Sequence, residues 1–187
     1  MQRRFDDMVD AAHNDTSDPR PLVLVTLGGG GWHRETCRVL EQCPPDEFRV
    51  AYVYGHHSGN HSAGRLPMPI DGPRFPIRYL GPTRKQRLRW ITNSLRFAAS
   101  FVEGFRLVRR LRPHAILAVG HPAAVPLFLA AKFWRARTVF VESLTRVHDL
   151  SVTGRIVYRL GLAQRMYVQW PRLHERYARC TYAGSVL

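Results

Sequence analysis

The hydrophobic pattern of the chain predicts strands that alternate with helices over most of its length. Residues 21–27 (PLVLVTL) form a continuous apolar run rich in β-branched side chains, which is typical of a strand buried on both faces of a parallel sheet. Residues 33–42 have a helical pattern, which Pro44 and Pro45 end. The alternation continues with strands at 48–55, 77–80, 114–120, 137–143, 165–170 and 180–186, and helices at 87–111, 122–135, 153–162 and 171–177.

This order of elements predicts the α/β class, with a Rossmann-like open parallel sheet covered by helices on both faces. We expect residues 1–20 to be a flexible tail, because they are polar and contain five Asp and three Arg. No repeat or internal linker interrupts the rest of the chain, so residues 21–187 are predicted to be a single domain.

Four consecutive glycines, Gly28, Gly29, Gly30 and Gly31, separate the first predicted strand from the first helix. Glycines let the backbone approach a ligand closely, and a helix N-terminus presents unpaired N–H groups, so the loop suits a diphosphate. A tight turn without a ligand is the alternative. A nicotinamide cofactor is disfavoured, because His33 stands where its fingerprint needs a third glycine and the second strand ends without an acidic residue.

Polar residues follow the later strands at the edge where parallel sheets bind ligands. We expect Gly120, His121, Glu142, Ser143 and Arg146 to line this edge. Two interpretations fit Glu142. It orients a ligand hydroxyl or holds Arg146, or it belongs to a structural ion pair or helix cap.

His33 and Glu35 lie on the first turn after the glycines. An imidazole or a carboxylate at this place is able to accept a proton from a hydroxyl group. The alternative for each residue is a polar side chain that faces water or interacts favourably with the helix dipole.

The chain is strongly basic, with a net charge of +14. The helix predicted at 87–111 has a broad apolar face opposite several arginines, which suits an anionic membrane surface. One alternative is a core-packing helix with a solvated basic face, and another is nucleic-acid binding, for which no recognised motif is present. The residues predicted to meet the membrane are Arg89, Trp90, Arg96, Phe97, Phe101, Arg106 and Arg110.

The three cysteines, Cys37, Cys43 and Cys180, are odd in number and lack metal-type spacing. They predict neither a disulfide framework nor a metal site, and they indicate a reducing cytoplasm. No segment has the apolar core of a signal peptide or the run of about 18 apolar residues that a spanning helix needs. The chain is therefore either soluble or bound to one face of a membrane, and together with the basic helix we expect peripheral attachment to the cytoplasmic face.

A series of short motifs marks the second half of the chain. They are Gly120, Val125-Pro126, Val141-Glu142-Ser143 with Arg146, Leu150-Ser151, Thr153-Gly154-Arg155, Tyr158, Val168-Gln169-Trp170-Pro171 and Gly184-Ser185-Val186-Leu187. With these motifs, residues 21–187 resemble the asparagine-linked-glycosylation protein "fourteen" family and its bacterial exopolysaccharide relatives.

The resemblance implies the N-terminal half of a GT-B glycosyltransferase, which binds a polyprenyl-diphosphate-linked sugar acceptor and recruits the enzyme to the membrane. A separate small subunit would hold the UDP-sugar donor, by family default UDP-N-acetylglucosamine, so this chain is expected to bind no cofactor itself. The glycine loop and Trp32 would hold the acceptor diphosphate, and Glu35 or His33 would activate its hydroxyl. The family loop reads G-x-G-G-H-x-x-E, and an ungapped match puts Trp32 on its His and Glu35 on its Glu.

Two other functions stay open from the sequence. One is a non-catalytic scaffold of a polysaccharide assembly complex, and the other is a basic nucleic-acid-binding protein. We expect no nucleic-acid partner, and sugar transfer by a reconstituted pair of subunits would separate the enzyme from the scaffold.

Overall fold

The computed structural model describes residues 18–56, 65–78 and 89–186, and of these it describes 56, 78 and 89–98 by their backbone alone. The strands are β1 Leu22–Leu27, β2 Arg49–His56, β3 Arg74–Arg78, β4 Ala115–Val119, β5 Arg137–Val141, β6 Arg165–Val168 and β7 Thr181–Tyr182. The helices are α1 Gly31–Glu41, α2 Arg89–Leu111, α3 Ala124–Trp134, α4 Val152–Arg159 and α5 Pro171–Arg176. The predicted alternation of strands and helices is confirmed.

The strands form one sheet in the order β3-β2-β1-β4-β5-β6-β7, and every neighbouring pair is parallel. β1 lies in the interior of the sheet, where it pairs with β2 on one side and β4 on the other. The chain therefore winds outward from β1 first in one direction and then in the other. Ligands of such sheets bind at this switch point, beside the carboxyl ends of the strands.

The helices lie on both faces of the sheet, as the sequence predicts. Alternate residues of a strand point to opposite faces, and two apolar clusters result. The larger cluster joins β1 and its neighbours to α2–α5, and Leu107, Phe128, Val157 and Leu173 are the buried contributions of these helices. The smaller cluster contains Leu40 of α1 and lies on the opposite face. Four helices therefore cover one face, whereas α1 covers part of the other.

Helix α2 divides its apolar residues between the core and the surface. Leu107, Val108 and Leu111 are buried, whereas Val102 is 45% exposed. The core-packing interpretation is therefore correct for the second half of this helix. The predicted membrane contacts of Arg89, Trp90, Arg96 and Phe97 fall outside the described side chains.

Two edge strands differ from their predicted positions. β3 begins at Arg74 instead of residue 77 and includes Pro76, which an edge strand tolerates because one side of its backbone has no strand partner. β7 has two residues, Thr181 and Tyr182, instead of seven. Residues 1–17 of the predicted tail lie outside the described part of the chain, so the domain boundaries stay a prediction.

The described helices include none that combines the length and apolarity needed to cross a membrane.

Candidate functional site

The site lies at the carboxyl edge of the sheet, around the switch point between β1 and β4. The loops after β1, β4, β5 and β6 meet there, because the carboxyl ends of parallel strands share one edge. They bring together the glycine loop, Gly120 and His121, Glu142 and Ser143, and Gln169.

Three glycines of the loop present an open backbone at the start of α1. Gly29, Gly30 and Gly31 are exposed, and a Cβ on any of them would meet no other heavy atom within 4 Å. Gly30 has φ 62°, which favours glycine, and no side chain caps the helix. The N-cap residue thus leaves the first N–H groups of α1 without a side-chain acceptor of its own, and this is the geometry of an anion site.

Gly28 serves a different purpose from the other three glycines. It is buried, and a Cβ on it would lie 2.8 Å from both Cβ and Cε3 of Trp32. Gly120, with φ 58°, is equally close, since its Cβ would lie 3.0 Å from Trp32 Nε1. The indole of Trp32 therefore fits between two glycines, one at the end of β1 and one after β4.

The buried side chain of His121 packs against this indole. The two rings meet edge to face with centroids 5.6 Å apart. His121 Nδ1 accepts a hydrogen bond from the Ala123 N–H at 3.2 Å, and burial lowers the pKa of the imidazole to about 4. His121 is therefore neutral at pH 7 and is placed to hold Trp32, with 3% of its surface exposed.

Glu35 is a buried carboxylate with three hydrogen-bond donors. Its Oε1 accepts from Ser143 Oγ at 2.8 Å, and its Oε2 accepts from the Leu144 N–H at 2.9 Å and from Gln169 Nε2 at 3.0 Å. Both oxygens are thus engaged by the loops after β5 and β6. This arrangement favours a positioning role for Glu35 over the acceptance of a proton from a ligand.

His33 lies on another side of α1. Its Nε2 is 3.6 Å from Cys37 Sγ, and that sulfur is 3.9 Å from Met68 Sδ. Burial, together with the positive charge of Arg74, lowers the pKa of the half-buried His33. The structure therefore does not join His33 and Glu35 in one hydrogen-bonded pair, because their side chains have different neighbours.

Glu142 lies beneath the site and anchors helix α4. Its Oε1 accepts from the Ser143 N–H at 3.0 Å, and its Oε2 accepts from Ser151 N and Oγ at 2.9 and 3.0 Å. Ser151 Oγ in turn caps α4 by accepting from the Gly154 N–H at 2.9 Å. Burial raises the Glu142 pKa, and the exposed Arg146 opposes that change. These contacts match the structural interpretation of Glu142 and place no oxygen toward a ligand.

Gln169 is central to the hydrogen bonds of the site, although no role for it was predicted from the sequence. Its Nε2 donates to Glu35 Oε2 and to the Glu142 carbonyl, each at 3.0 Å, and its Oε1 accepts from the Val186 N–H at 3.1 Å. One amide thus joins the glycine-loop helix, the end of β5 and the C-terminal segment. The feature of the sequence that could have identified Gln169 is a polar side chain directly after an apolar strand.

The face of the sheet beside α1 holds an apolar groove, which we call the sheet groove. It has a volume of about 490 Å³. Leu117 and Val139 of the central strands form its floor, α1 borders one side, and residues 183–186 border the other. Parallel sheets are normally covered on both faces, so this floor suits a further apolar element.

Helices α2 and α3 share an aromatic cluster near the protein surface. The ring of Phe105 lies 4.5 Å from Trp134, 5.6 Å from Phe133 and 6.1 Å from Phe101, measured between centroids. Phe133 is 69% exposed. The same two helices carry the exposed basic residues Arg106, Arg109, Arg110 and Lys132.

In the part of the chain that the structure describes, no three His, Cys, Asp or Glu side chains group together as metal ligands.

The Glu142 anchor predicts a steric penalty at Gly154. A Cβ on Gly154 would lie 2.0 Å from Glu142 Oε2, so Gly154→Ala must displace a buried, hydrogen-bonded carboxylate. We expect a loss of about 2 kcal/mol or more in the free energy of unfolding, measured by urea denaturation. Val152→Ala on the exposed side of the same helix is the control. Equal stability of the two variants would contradict the anchor.

The burial of His121 predicts a dependence of stability on pH. Because its folded pKa of about 4 lies below the ordinary 6.5, the unfolded chain binds the proton first as the pH falls. Its contribution is complete above pH 6.5 and is lost toward pH 4, by roughly 3 kcal/mol. His121→Asn should flatten this part of the profile of unfolding free energy against pH. The same change at the exposed His114 should leave the profile as it is, and a similar flattening there would argue against His121 as the cause.

Comparison with known proteins places the chain in a family. The family profile described as "Oligosaccharide biosynthesis protein Alg14 like" matches residues 23–186. The protein named UDP-N-acetylglucosamine transferase subunit ALG14 from Yarrowia lipolytica is 31% identical over 179 residues, which cover 89% of this chain and 82% of that protein. Its namesake in Schizosaccharomyces pombe is 38% identical over 175 residues, which cover 88% and 82%.

Solved structures show the same fold at low sequence identity. MurG of Acinetobacter baumannii superposes with a TM-score of 0.58 at 17% identity, over 82% of this chain and 42% of that one. The UDP-N-acetylglucosamine 2-epimerase of Rickettsia bellii superposes with a TM-score of 0.61 at 14% identity, over 89% and 45%. The chain spans less than half of each, as one Rossmann-like half of a GT-B protein does. The family resemblance of the motifs is thus confirmed, and the chain belongs to the Alg14-like family of oligosaccharide biosynthesis proteins.

Proposed function

We propose that the chain is the acceptor-binding subunit of a UDP-N-acetylglucosamine transferase that acts on a polyprenyl-diphosphate-linked sugar. The observation that carries the proposal is the open glycine backbone at the N-terminus of α1, at the switch point of the sheet. The relatives that match most of the chain are named as subunits of a UDP-N-acetylglucosamine transferase. Polysaccharide or lipid-linked oligosaccharide biosynthesis is the process that uses this reaction.

The acceptor diphosphate would lie against Gly29, Gly30 and Gly31. Their unhindered backbone allows close approach, and the free N–H groups and dipole of α1 favour a negative charge. Gly28 and Gly120 would act indirectly, because both pack against Trp32.

The reaction would join an acceptor hydroxyl oxygen to C1 of the donor sugar while the bond from C1 to UDP breaks. The hydroxyl must lose its proton in this step. Glu35, with three donors on its carboxylate, would position the glycine-loop helix. His33 is the better candidate for proton acceptance, because its lowered pKa keeps it neutral and its imidazole is half-exposed.

The donor half would come from a second, smaller subunit that holds the UDP-sugar. The sheet groove would receive an apolar element of that subunit, since no element in the described part of this chain covers its floor on the parallel sheet. The loops that carry Ser143 and Arg146 lie at the same carboxyl edge as the glycine loop and would line the cleft between the subunits.

Peripheral membrane attachment would use α2 and the end of α3. The exposed Phe133 and Val102 supply apolar contact, and Arg106 and Arg110 supply positive charge for an anionic leaflet. The half of α2 that packs in the core would then hold this surface rigidly against the domain.

A charge placed in the glycine loop tests the acceptor site. Gly29→Asp meets no steric barrier, because a Cβ there touches nothing, but its carboxylate would repel a diphosphate. With the donor subunit present, we expect kcat/KM for the lipid acceptor to fall by about 100-fold or more. Gly29→Ala, which adds bulk without charge, should lose far less. Full activity of Gly29→Asp in a folded protein would refute the diphosphate site.

A charge in the sheet groove tests the partner surface. Val139→Glu places a carboxylate on the apolar floor, where burial by a partner would leave it unpaired. We expect the affinity for the donor subunit, measured by isothermal titration calorimetry, to fall by about 100-fold. Val152→Glu, on the opposite helix layer, should bind normally. If both variants bind alike, the partner sits elsewhere.

The membrane proposal predicts an effect of Phe133 on vesicle binding. Phe133→Asp removes an exposed aromatic ring and adds a negative charge beside basic residues. Sedimentation with phosphatidylglycerol-rich vesicles should show a loss of about tenfold in partitioning, and phosphatidylcholine vesicles should bind weakly throughout. Leu160→Asp, at another exposed apolar site, is the control. Retained binding of Phe133→Asp would exclude this surface.

A further inference from the structure

The position of the Trp32 side chain is constrained by more residues than a tryptophan at a protein surface requires. Gly28 and Gly120 both leave room for the indole, and a Cβ on either would lie within 3.0 Å of it. Gly120 also needs its left-handed backbone, with φ 58°. The ring of His121 packs against the indole edge to face. Three positions, one after β1 and two after β4, thus fix one ring at the switch point.

This fixed ring is not a core residue. Trp32 is half-buried, whereas His121 behind it is buried. Trp32 belongs to the first turn of α1, and its neighbours in the chain are the glycines with the open backbone, Gly30 and Gly31. A rigid apolar surface therefore adjoins the proposed diphosphate site.

A pyranose ring directly linked to a diphosphate matches this pair of surfaces. Sugars present faces of C–H groups that pack against aromatic rings, while their hydroxyls stay at the ring edges for hydrogen bonds. A ligand site of this kind combines an aromatic wall with a few polar groups that fix orientation. Tryptophan suits the wall because it gives a large contact area with little conformational freedom.

We propose that Trp32 is a specificity-determining residue whose indole packs against the acceptor pyranose next to the diphosphate. The inference rests on the proposed function. Trp32 recognises the sugar, and the Gly29–Gly31 backbone recognises the phosphates. Trp32 takes no part in proton transfer, because an indole N–H is only a donor.

Because Trp32 and the glycine backbone would recognise different parts of the ligand, a substitution of Trp32 should affect two ligands differently. Removing the aromatic surface weakens the binding of a lipid that carries a sugar and leaves a lipid diphosphate without sugar unaffected. A tryptophan that merely filled space would, when replaced, disturb the neighbouring loop and weaken both ligands together.

The experiment uses the full chain with its donor subunit in mild detergent, as wild type, Trp32→Phe and Trp32→Leu. The acceptor is a short-chain polyprenyl diphosphate with N-acetylglucosamine, and the competitor is the same polyprenyl diphosphate without sugar. We expect KM for the acceptor to rise by about tenfold in Trp32→Leu and less in Trp32→Phe, while Ki of the competitor changes by less than about twofold. Parallel increases of KM and Ki, or no change in either, would overturn the inference.

A second measurement, of tryptophan fluorescence, reports on the folded wild-type protein and does not depend on catalytic turnover. The Trp32→Phe variant identifies the Trp32 component of the fluorescence spectrum by difference. The sugar-bearing lipid should shift that component, and the sugar-free lipid should not. A wild-type pair that transfers no sugar to the lipid would count against the proposed function itself. A pair that transfers sugar while its Trp32 emission ignores the sugar would count against Trp32 alone.

Discussion

The buried carboxylate of Glu35 is the contact on which the geometry of the site depends. Burying an ionised carboxylate costs several kcal/mol unless donors compensate it, and here Ser143, Leu144 and Gln169 do so. The donors come from the loops after β5 and β6, whereas Glu35 belongs to α1. The Glu35 side chain thus connects the glycine loop to the half of the sheet that contains β5 and β6. Removal of any one donor would leave its buried negative charge incompletely compensated.

Gln169 continues these hydrogen bonds to the surface where a partner is proposed to bind. Its amide joins Glu35 to the Val186 N–H, and Val186 borders the sheet groove. An element that enters the groove must therefore either fit the C-terminal segment as it stands or strain the Gln169 bonds. If the proposed partner binds there, its assembly and the geometry of the acceptor site would be linked through Gln169, and its binding would steady the glycine loop.

The sequence predicted what depends on local pattern and missed what depends on distant pairing. The apolar run of β1 and the helix that follows the four glycines are local signals, and the structure has both, with the helix beginning at Gly31 instead of residue 33. The partners of Glu35 lie 108 to 134 positions away in the chain, so no spacing rule could identify them. Helix α2 was ambiguous because its single apolar face is broad, so periodicity alone could not separate Leu107 in the core from Val102 at the surface.

The loop departs from its family pattern in a way that the helix geometry explains. Each residue of a helix turns the side chain by about 100°, so adjacent residues cannot occupy the same seat. With Trp32 seated between Gly28 and Gly120, His33 is turned away toward Cys37 and Met68. The inward position of the first turn is thus aromatic instead of basic. Under the proposed function, the group that takes the proton from the acceptor hydroxyl would then approach from the side of His33 or from the donor subunit. Either route would place the chemistry at the rim of the glycine loop, beyond the indole.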